Sequence, residues 1–99
     1  MAELTIIYWR DIPAQVIARQ GRRTAKRELP QRFTEAIDMA AMRSGARDDQ
    51  SYLDEWRRGD PTPCGEDLEG AAEDAIGRLE AEYDRERLIR LVNAGGREA

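Results

Sequence analysis

The run Leu4-Thr5-Ile6-Ile7-Tyr8-Trp9 is the longest strongly apolar, β-favouring stretch of the chain, and it ends at Arg10-Asp11-Ile12-Pro13. Short apolar runs of β-branched and aromatic residues that stop at a polar pair and a proline are typical of buried strands. Apart from Thr5, both alternating faces of this run are apolar. We therefore predict a strand that is covered on both faces, or on one face with a partner surface over the other.

Two further segments could form a small sheet with this strand. Proline cannot donate a ladder hydrogen bond, so we expect the pairing to break at Pro13 and a second strand to occupy residues 15–19. The short connection permits only antiparallel pairing. After a turn at Gln20-Gly21, residues 24–29 fit a third strand, although the nearby cations suit a solvated edge or loop as well.

A helix is predicted from Pro30, because proline is favoured in the first helical turn. An apolar stripe with helical spacing follows it: Phe33, Ala36, Ile37, Ala40 and Ala41. Met39 and Met42 widen this stripe, and Gly45 lies where a glycine would end the helix. The small alanine-rich face would let the helix lie close against the sheet.

A second, short helix is predicted to begin at Asp48-Asp49, since carboxylates stabilise the start of a helix. Its apolar side would be Tyr52, Leu53 and Trp56, with Arg57-Arg58 at its end. Capping is the role that we expect for the two aspartates, because no calcium-loop spacing is present.

The rest of the chain predicts a loop, two helices and a tail. Residues 59–65 contain two prolines and two glycines and indicate a rigid loop. Glu66-Asp67 begin a longer helix, and a final helix is expected over about 85–93. Residues 88–92 could instead form a strand, since isolated apolar runs of five are ambiguous. Residues 94–99 are expected to form a frayed tail.

These elements predict one domain over residues 1–99, since 99 residues correspond to one domain. The fold class is α+β: a two- or three-stranded antiparallel N-terminal sheet packed against three or four helices. The strands are expected within about residues 3–29. The helices are expected within about residues 30–93 and would cover one face of the sheet.

Composition excludes several kinds of chemistry. The chain has no histidine and a single cysteine, Cys64, so Ser/His and Cys/His catalysis are excluded and a zinc site within one chain is not expected. We expect an inert or partly buried thiol, no catalytic residues, no metal and no cofactor. The absence of a signal peptide, of a membrane span and of an internal disulfide favours the cytoplasm.

Charge is divided unevenly along the chain. Residues 1–47 contain nine Lys/Arg and five Asp/Glu, net +4, whereas residues 48–99 contain seven and fifteen, net −8. Such asymmetry can mark a partner surface. Equally, the two halves could attract each other within the fold.

Two groups of residues are candidates for contacts with a partner. Trp9, Arg10 and Asp11 could form a recognition corner, since Trp and Arg are favoured interface anchors, or they could serve the structure alone. A basic cluster could contact phosphates, steer an acidic protein, or face the acidic half as a solvated edge. Its members are Arg19, Arg22, Arg23, Lys26, Arg27 and Arg32.

The segment Tyr8-Trp9-Arg10-Asp11-Ile12-Pro13-Ala14-Gln15-Val16 resembles a family of small bacterial proteins and domains labelled "virulence factor". Pro30-Gln31-Arg32-Phe33, residues 36–38, and Tyr52-Leu53 with Trp56 add to the resemblance. The resemblance assigns no catalytic residues. It implies an accessory role, because larger relatives join a similar domain to an iron–sulfur-scaffold-like segment and helical repeats. Short versions keep company with folate- and corrinoid-dependent one-carbon enzymes in alphaproteobacteria.

We therefore predict a non-enzymatic accessory or adaptor protein that binds another protein. Trp9, Arg10 and Asp11 would form one edge of the contact, and the arm at Arg22, Arg23, Lys26 and Arg27 would steer an acidic partner. A small subunit that contributes to the active site of a folate or corrinoid enzyme is the alternative, and an RNA-binding module is a lesser one. Self-association is also compatible with the sequence, whereas nucleic acid and membrane partners are not favoured.

Overall fold

The apolar N-terminal stretch forms the central strand of an antiparallel sheet in a computed structural model that describes residues 1–45 and 49–98. In these residues the elements are β1 (Glu3–Trp9), β2 (Ile12–Gln20), β3 (Arg23–Glu28), α1 (Gln31–Ser44), α2 (Asp49–Asp54), β4 (Trp56–Arg58), β5 (Thr62–Pro63), α3 (Leu68–Glu82) and α4 (Arg85–Asn93). The strand order is β3-β2-β1-β4, and β5 also pairs with β1. The predicted α+β class is confirmed.

The sheet is larger than predicted, because β4 and β5 both pair with the second edge of β1. The predicted helical position of Trp56, Arg57 and Arg58 is wrong: α2 ends at Asp54 and these three residues pair with β1. The predicted loop over residues 59–65 contains β5, which pairs with Glu3 and Leu4. Backbone N–H and C=O groups along the β1 edge need partners, and these short segments supply them.

The pairing of β1 with β2 continues past Pro13, where the sequence predicted a break. Pro13 lies opposite Tyr8, while Gln15 lies opposite Ile7, so Ala14 is the extra residue of a β-bulge. A bulge tolerates the missing N–H of proline. The carbonyl of Ala14 accepts a hydrogen bond from the Leu29 N–H at 3.0 Å, which joins the end of β3 to the bulge.

The core lies on the face of the sheet against which α1 and α3 pack. Leu4, Ala18 and Ala25 form one cross-strand row on this face, and all three are buried. The opposite face carries Ile17 and Lys26 as neighbours; Ile17 is buried although it lies outside the core cluster, whereas Lys26 is exposed.

The helix ends follow the local sequence signals. Pro30 directly precedes α1, and Gly45 ends it with a left-handed φ of 78°. The side chain of Asp67 accepts a hydrogen bond from the Gly70 N–H at the start of α3. Asp84 caps α4 in the same way, and residues 88–92 are therefore helical, which settles that ambiguity. Asp48 lies outside the described residues.

Residues 94–98 are docked on the fold, so the prediction of a frayed tail is wrong for them. The Gly96 N–H donates to the Leu91 carbonyl at 2.7 Å, and the Gly96 carbonyl accepts from the Asp11 N–H at 2.8 Å. The Glu98 N–H donates to a carboxylate oxygen of Asp11 at 2.7 Å. A carbonyl at the end of α4 and an N–H in the β1–β2 turn thus find partners in the tail.

Candidate functional site

Trp9, the first of the predicted contact residues, lies in the core. Its residue exposure is 0%. Its Nε1 donates a hydrogen bond to the Tyr52 carbonyl at 2.9 Å, and the two rings lie 5.7 Å apart. The indole thus links α2 to the sheet through this hydrogen bond. In this conformation it is not accessible to a partner.

Arg10 is held mainly by internal contacts. Its guanidinium donates to the Gly95 carbonyl at 2.8 Å and to the Glu55 carboxylate at 3.2 Å, and it lies 4.9 Å from the centre of the Trp9 ring. The side chain is 14% exposed. The backbone of Arg10 has a φ of 53°, a left-handed conformation that turns the chain between β1 and β2.

Asp11 connects the turn to β4 and to the tail. Its carboxylate accepts hydrogen bonds from the Arg57 guanidinium at 3.2 Å and from the Glu98 N–H at 2.7 Å. The contacts of Trp9, Arg10 and Asp11 therefore give all three residues a structural role. Their predicted role at a partner surface stays a prediction.

Two cations of the basic cluster form ion pairs with α3, and the others form none with a described residue. Arg27 forms an ion pair with Glu69 and approaches Glu73 at 3.9 Å. Arg32 donates to the Glu80 carbonyl at 3.1 Å and lies 3.8 Å from the Glu80 carboxylate. These contacts join the basic half to the acidic helix α3, as expected if the two halves attract each other.

Arg22, Arg23 and Lys26 are exposed, and in the part of the chain that the structure describes they form no ion pair. Arg19 is exposed as well. Their proposed role in steering an acidic partner is compatible with this placement and stays a prediction.

A polar cavity of about 460 Å³ opens beside β4. Its lining residues are Tyr8, Asp11, Arg57, Gly59, Asp60, Tyr83 and Glu98. Arg57 lies 4.5 Å from the centre of the Tyr8 ring, and Arg87 lies 3.8 Å from that of Tyr83. Burial raises the pKa of both tyrosines above its ordinary value.

The charges around this cavity largely neutralise one another. Arg57 pairs with Asp11, and Arg87 binds both carboxylate oxygens of Glu98 at 2.6 and 2.8 Å. The hydrogen bond from Arg87 lowers the pKa of Glu98. Asp60, the remaining charged lining residue, forms no ion pair with a described residue.

No group of three or more His, Cys, Asp or Glu side chains within residues 1–45 and 49–98 is arranged to hold a metal ion. Cys64 is half-buried, and its backbone N–H donates to the Ala2 carbonyl at 3.1 Å. The contact extends the pairing of β5 with the start of the chain.

An accessible apolar surface that was not predicted from the sequence is a groove of about 470 Å³ between α1 and α4. Its lining residues are Arg32, Glu35, Ala36, Met39, Arg43, Arg85, Leu88, Ile89, Val92 and Asn93. Ala36, Leu88 and Val92 are buried and form the floor, whereas Met39 is 52% and Ile89 48% exposed.

The groove has a cationic rim. Three arginines, Arg32, Arg43 and Arg85, line it against one carboxylate, Glu35. Arg43 and Arg85 form no ion pair with any described residue. In a chain of net charge −4 this is a local excess of positive charge beside an exposed apolar surface.

The sequence does contain a signal for this groove, namely the wide apolar stripes on α1 and α4. Met39 and Met42 widen the apolar stripe of α1, and both are exposed, whereas Phe33, Ala36, Ile37, Ala40 and Ala41 are buried. Ile89 extends the apolar side of α4 in the same way. Two helices with more apolar residues than they bury indicate an open apolar surface.

No helix among the described residues is long and apolar enough to cross a membrane. No curated protein and no solved structure matches the chain. A family model described as "Virulence factor" matches residues 7–92, a range that begins within β1, includes the β1–β2 turn and α1, and ends one residue before the end of α4. The chain therefore belongs to the virulence factor family.

Proposed function

We propose that this chain is a non-enzymatic accessory protein that binds an acidic surface of another protein through the α1–α4 groove. The observation that carries the proposal is the exposed apolar pair Met39 and Ile89 within a rim of three arginines. Apolar surface rimmed by polar residues is a feature of protein-binding sites.

The side chains of the groove suit contact with a protein. Met39 is unbranched and polarizable, so it can adapt its shape to a partner side chain. Arg43 and Arg85 flank the apolar surface without an internal ion pair among the described residues, so they are available to carboxylates of a partner.

An accessory role agrees with the chemistry of the chain better than a catalytic one. Histidine is absent from the sequence, and the charged groups Arg57, Asp11, Arg87 and Glu98 at the polar cavity are paired with one another. A contribution to a folate- or corrinoid-dependent enzyme, which the family resemblance implies, remains a prediction about the identity of the partner.

The test is affinity capture from a lysate of the source organism with two matched pairs of variants. Met39→Asp and Ile89→Asp place a carboxylate on the groove. Met42→Asp and Leu53→Asp alter apolar residues that are 62% and 61% exposed but do not line it. We expect one stoichiometric protein to be captured by wild type and by the two controls and to be lost with both groove variants.

Circular dichroism should show the same helix content for all four variants, since each changes an exposed side chain. Capture that survives Met39→Asp and Ile89→Asp would rule out the groove as the binding site. Capture that is lost only after nuclease treatment would favour the RNA-binding alternative instead.

A further inference from the structure

We infer that the partner segment received by the groove is an amphipathic α-helix with acidic side chains two to three turns apart. This inference rests on the proposed function and specifies the partner. It depends on three features of the groove, namely its direction, its length and the position of the two arginines that pair with no described residue.

Helices α1 and α4 lie side by side and run in the same direction. Near their first turns, the Phe33 ring lies 6.3 Å from the ring of Tyr83, which precedes α4. Near their last turns, a Cβ on Gly95 would lie only 3.1 Å from the Ser44 Cβ. The groove is therefore bounded by two helices that run in the same direction.

The channel has the length of a short helix. On α1 its lining residues run from Arg32 to Arg43, and on α4 from Arg85 to Asn93. At 1.5 Å per residue, the α1 wall is roughly 16 Å long and the α4 wall roughly 12 Å, which matches two to three helical turns. The recurring protein ligand for such an apolar channel is one face of an amphipathic helix.

The two arginines that form no ion pair with a described residue mark the two ends of the channel. Arg85 is the first residue of α4, whereas Arg43 lies in the last turn of α1. Because the helices are parallel, these two guanidinium groups lie at opposite ends. A helix seated between them would place its apolar stripe on Met39 and Ile89 and one acidic residue near each arginine, two to three turns apart.

The rim charge favours this ligand over a second copy of the chain. A two-fold dimer presents the same patch on both subunits. Such a dimer through the groove would bring a second set of three arginines and one glutamate into it. Like charges across an interface oppose association, so a foreign acidic helix fits the groove better.

The experiment uses the full chain and two designed helical peptides of about 18 residues, long enough for three turns with helical ends. Both peptides carry leucines at i, i+3, i+4 and i+7. One has glutamates flanking this stripe, and the other has lysines at the same positions. Binding is measured by fluorescence anisotropy at low and at high salt.

We expect the acidic peptide to bind about tenfold more tightly than the basic one at low salt, and this difference to shrink at high salt. The double variant Arg43→Glu with Arg85→Glu should reverse the preference. The control Arg78→Glu, on an exposed position of α3 outside the groove, should leave it unchanged.

Equal binding of both peptides, or a preference that survives Arg43→Glu with Arg85→Glu, would overturn the inference. So would concentration-dependent dimerisation of the chain in sedimentation that is lost with Ile89→Asp. If a captured protein depends on Met39 and Ile89 while the peptides show no preference, the inference fails and the proposed function stands. If capture is independent of the groove, the proposed function fails as well.

Discussion

Gly96 packs against the indole of Trp9 so closely that a Cβ on the glycine would lie 3.0 Å from Cζ3 of the ring. The φ of Gly96 is 89°, a conformation that side chains other than hydrogen disfavour. The glycine also donates to Leu91 and accepts from Asp11 through its backbone. The tail thus packs against Trp9, which is completely buried.

Gly96→Ala should therefore destabilise the protein by about 2–3 kcal/mol, since it combines a strained φ with overpacking against a rigid ring. Equilibrium urea unfolding measures this change. The matched control is Gly77→Ala, where an added Cβ meets open space on α3, and it should stabilise by about 0.5–1 kcal/mol. Equal effects of the two substitutions would contradict the close approach of Gly96 to Trp9.

Arg10→Ala should lower the free energy of unfolding by about 1–3 kcal/mol, because the substitution removes the donor to the Gly95 carbonyl and a partner of Glu55. Arg10→Gly should cost about 1 kcal/mol less than Arg10→Ala, since glycine adopts the observed positive φ without strain. Thermal or urea unfolding separates the two variants. Arg58→Ala, at an exposed arginine of β4, serves as the control and should change stability by less than about 0.5 kcal/mol.

Stability should fall in alkaline solution through the tyrosines of the polar cavity. Burial raises the pKa of Tyr8 and Tyr83 in the folded state, so the unfolded state releases these protons first, near its ordinary pKa of about 10. Below that pH both states hold the protons and this effect is absent. As pH rises through about 10 toward the folded-state values, the free energy of unfolding should decrease.

Phenolate absorbance measured in the native protein and in urea checks this difference. The phenolate should appear at higher pH in the native protein, and Tyr83→Phe should remove part of the delayed signal. Identical titration curves in the two states would show that the rings are not desolvated.

Replacing Arg22, Arg23 and Lys26 with Gln should slow association with the captured partner and flatten its salt dependence, while dissociation changes little. The three side chains are exposed, so their removal leaves the core intact. Stopped-flow association at several ionic strengths measures the effect. Arg78→Gln with Arg90→Gln removes cations from α3 and α4 as a control, and an equal slowing by that pair would show that only net charge matters.

Much of the helical structure could be predicted from local residues. Pro30 and Gly45 bound α1, and Asp67 and Asp84 cap α3 and α4 as their side chains suggest. These signals work because a helix satisfies its own backbone within four residues, so its limits depend on nearby side chains.

The candidate site was predicted less well. The sequence drew attention to Trp9, Arg10 and Asp11, whose residue types are equally suited to an interface and to a buried junction. The contacts with Tyr52, Glu55 and the tail could not be read from sequence, because their partners lie more than forty positions away. The exposure of Met39 and Ile89 likewise depends on how much of each helix its neighbours cover.

The sequence by itself determined the fold class, the central strand β1, the limits of α1 and the absence of histidine chemistry, since each follows from short-range propensity or composition. Only the tertiary structure decided that β4 and β5 complete the sheet, that the tail docks on Trp9 and that α1 and α4 enclose a groove. The physical reason is that a strand edge, a buried ring and a helix face each need a partner, and composition cannot say which distant segment supplies it.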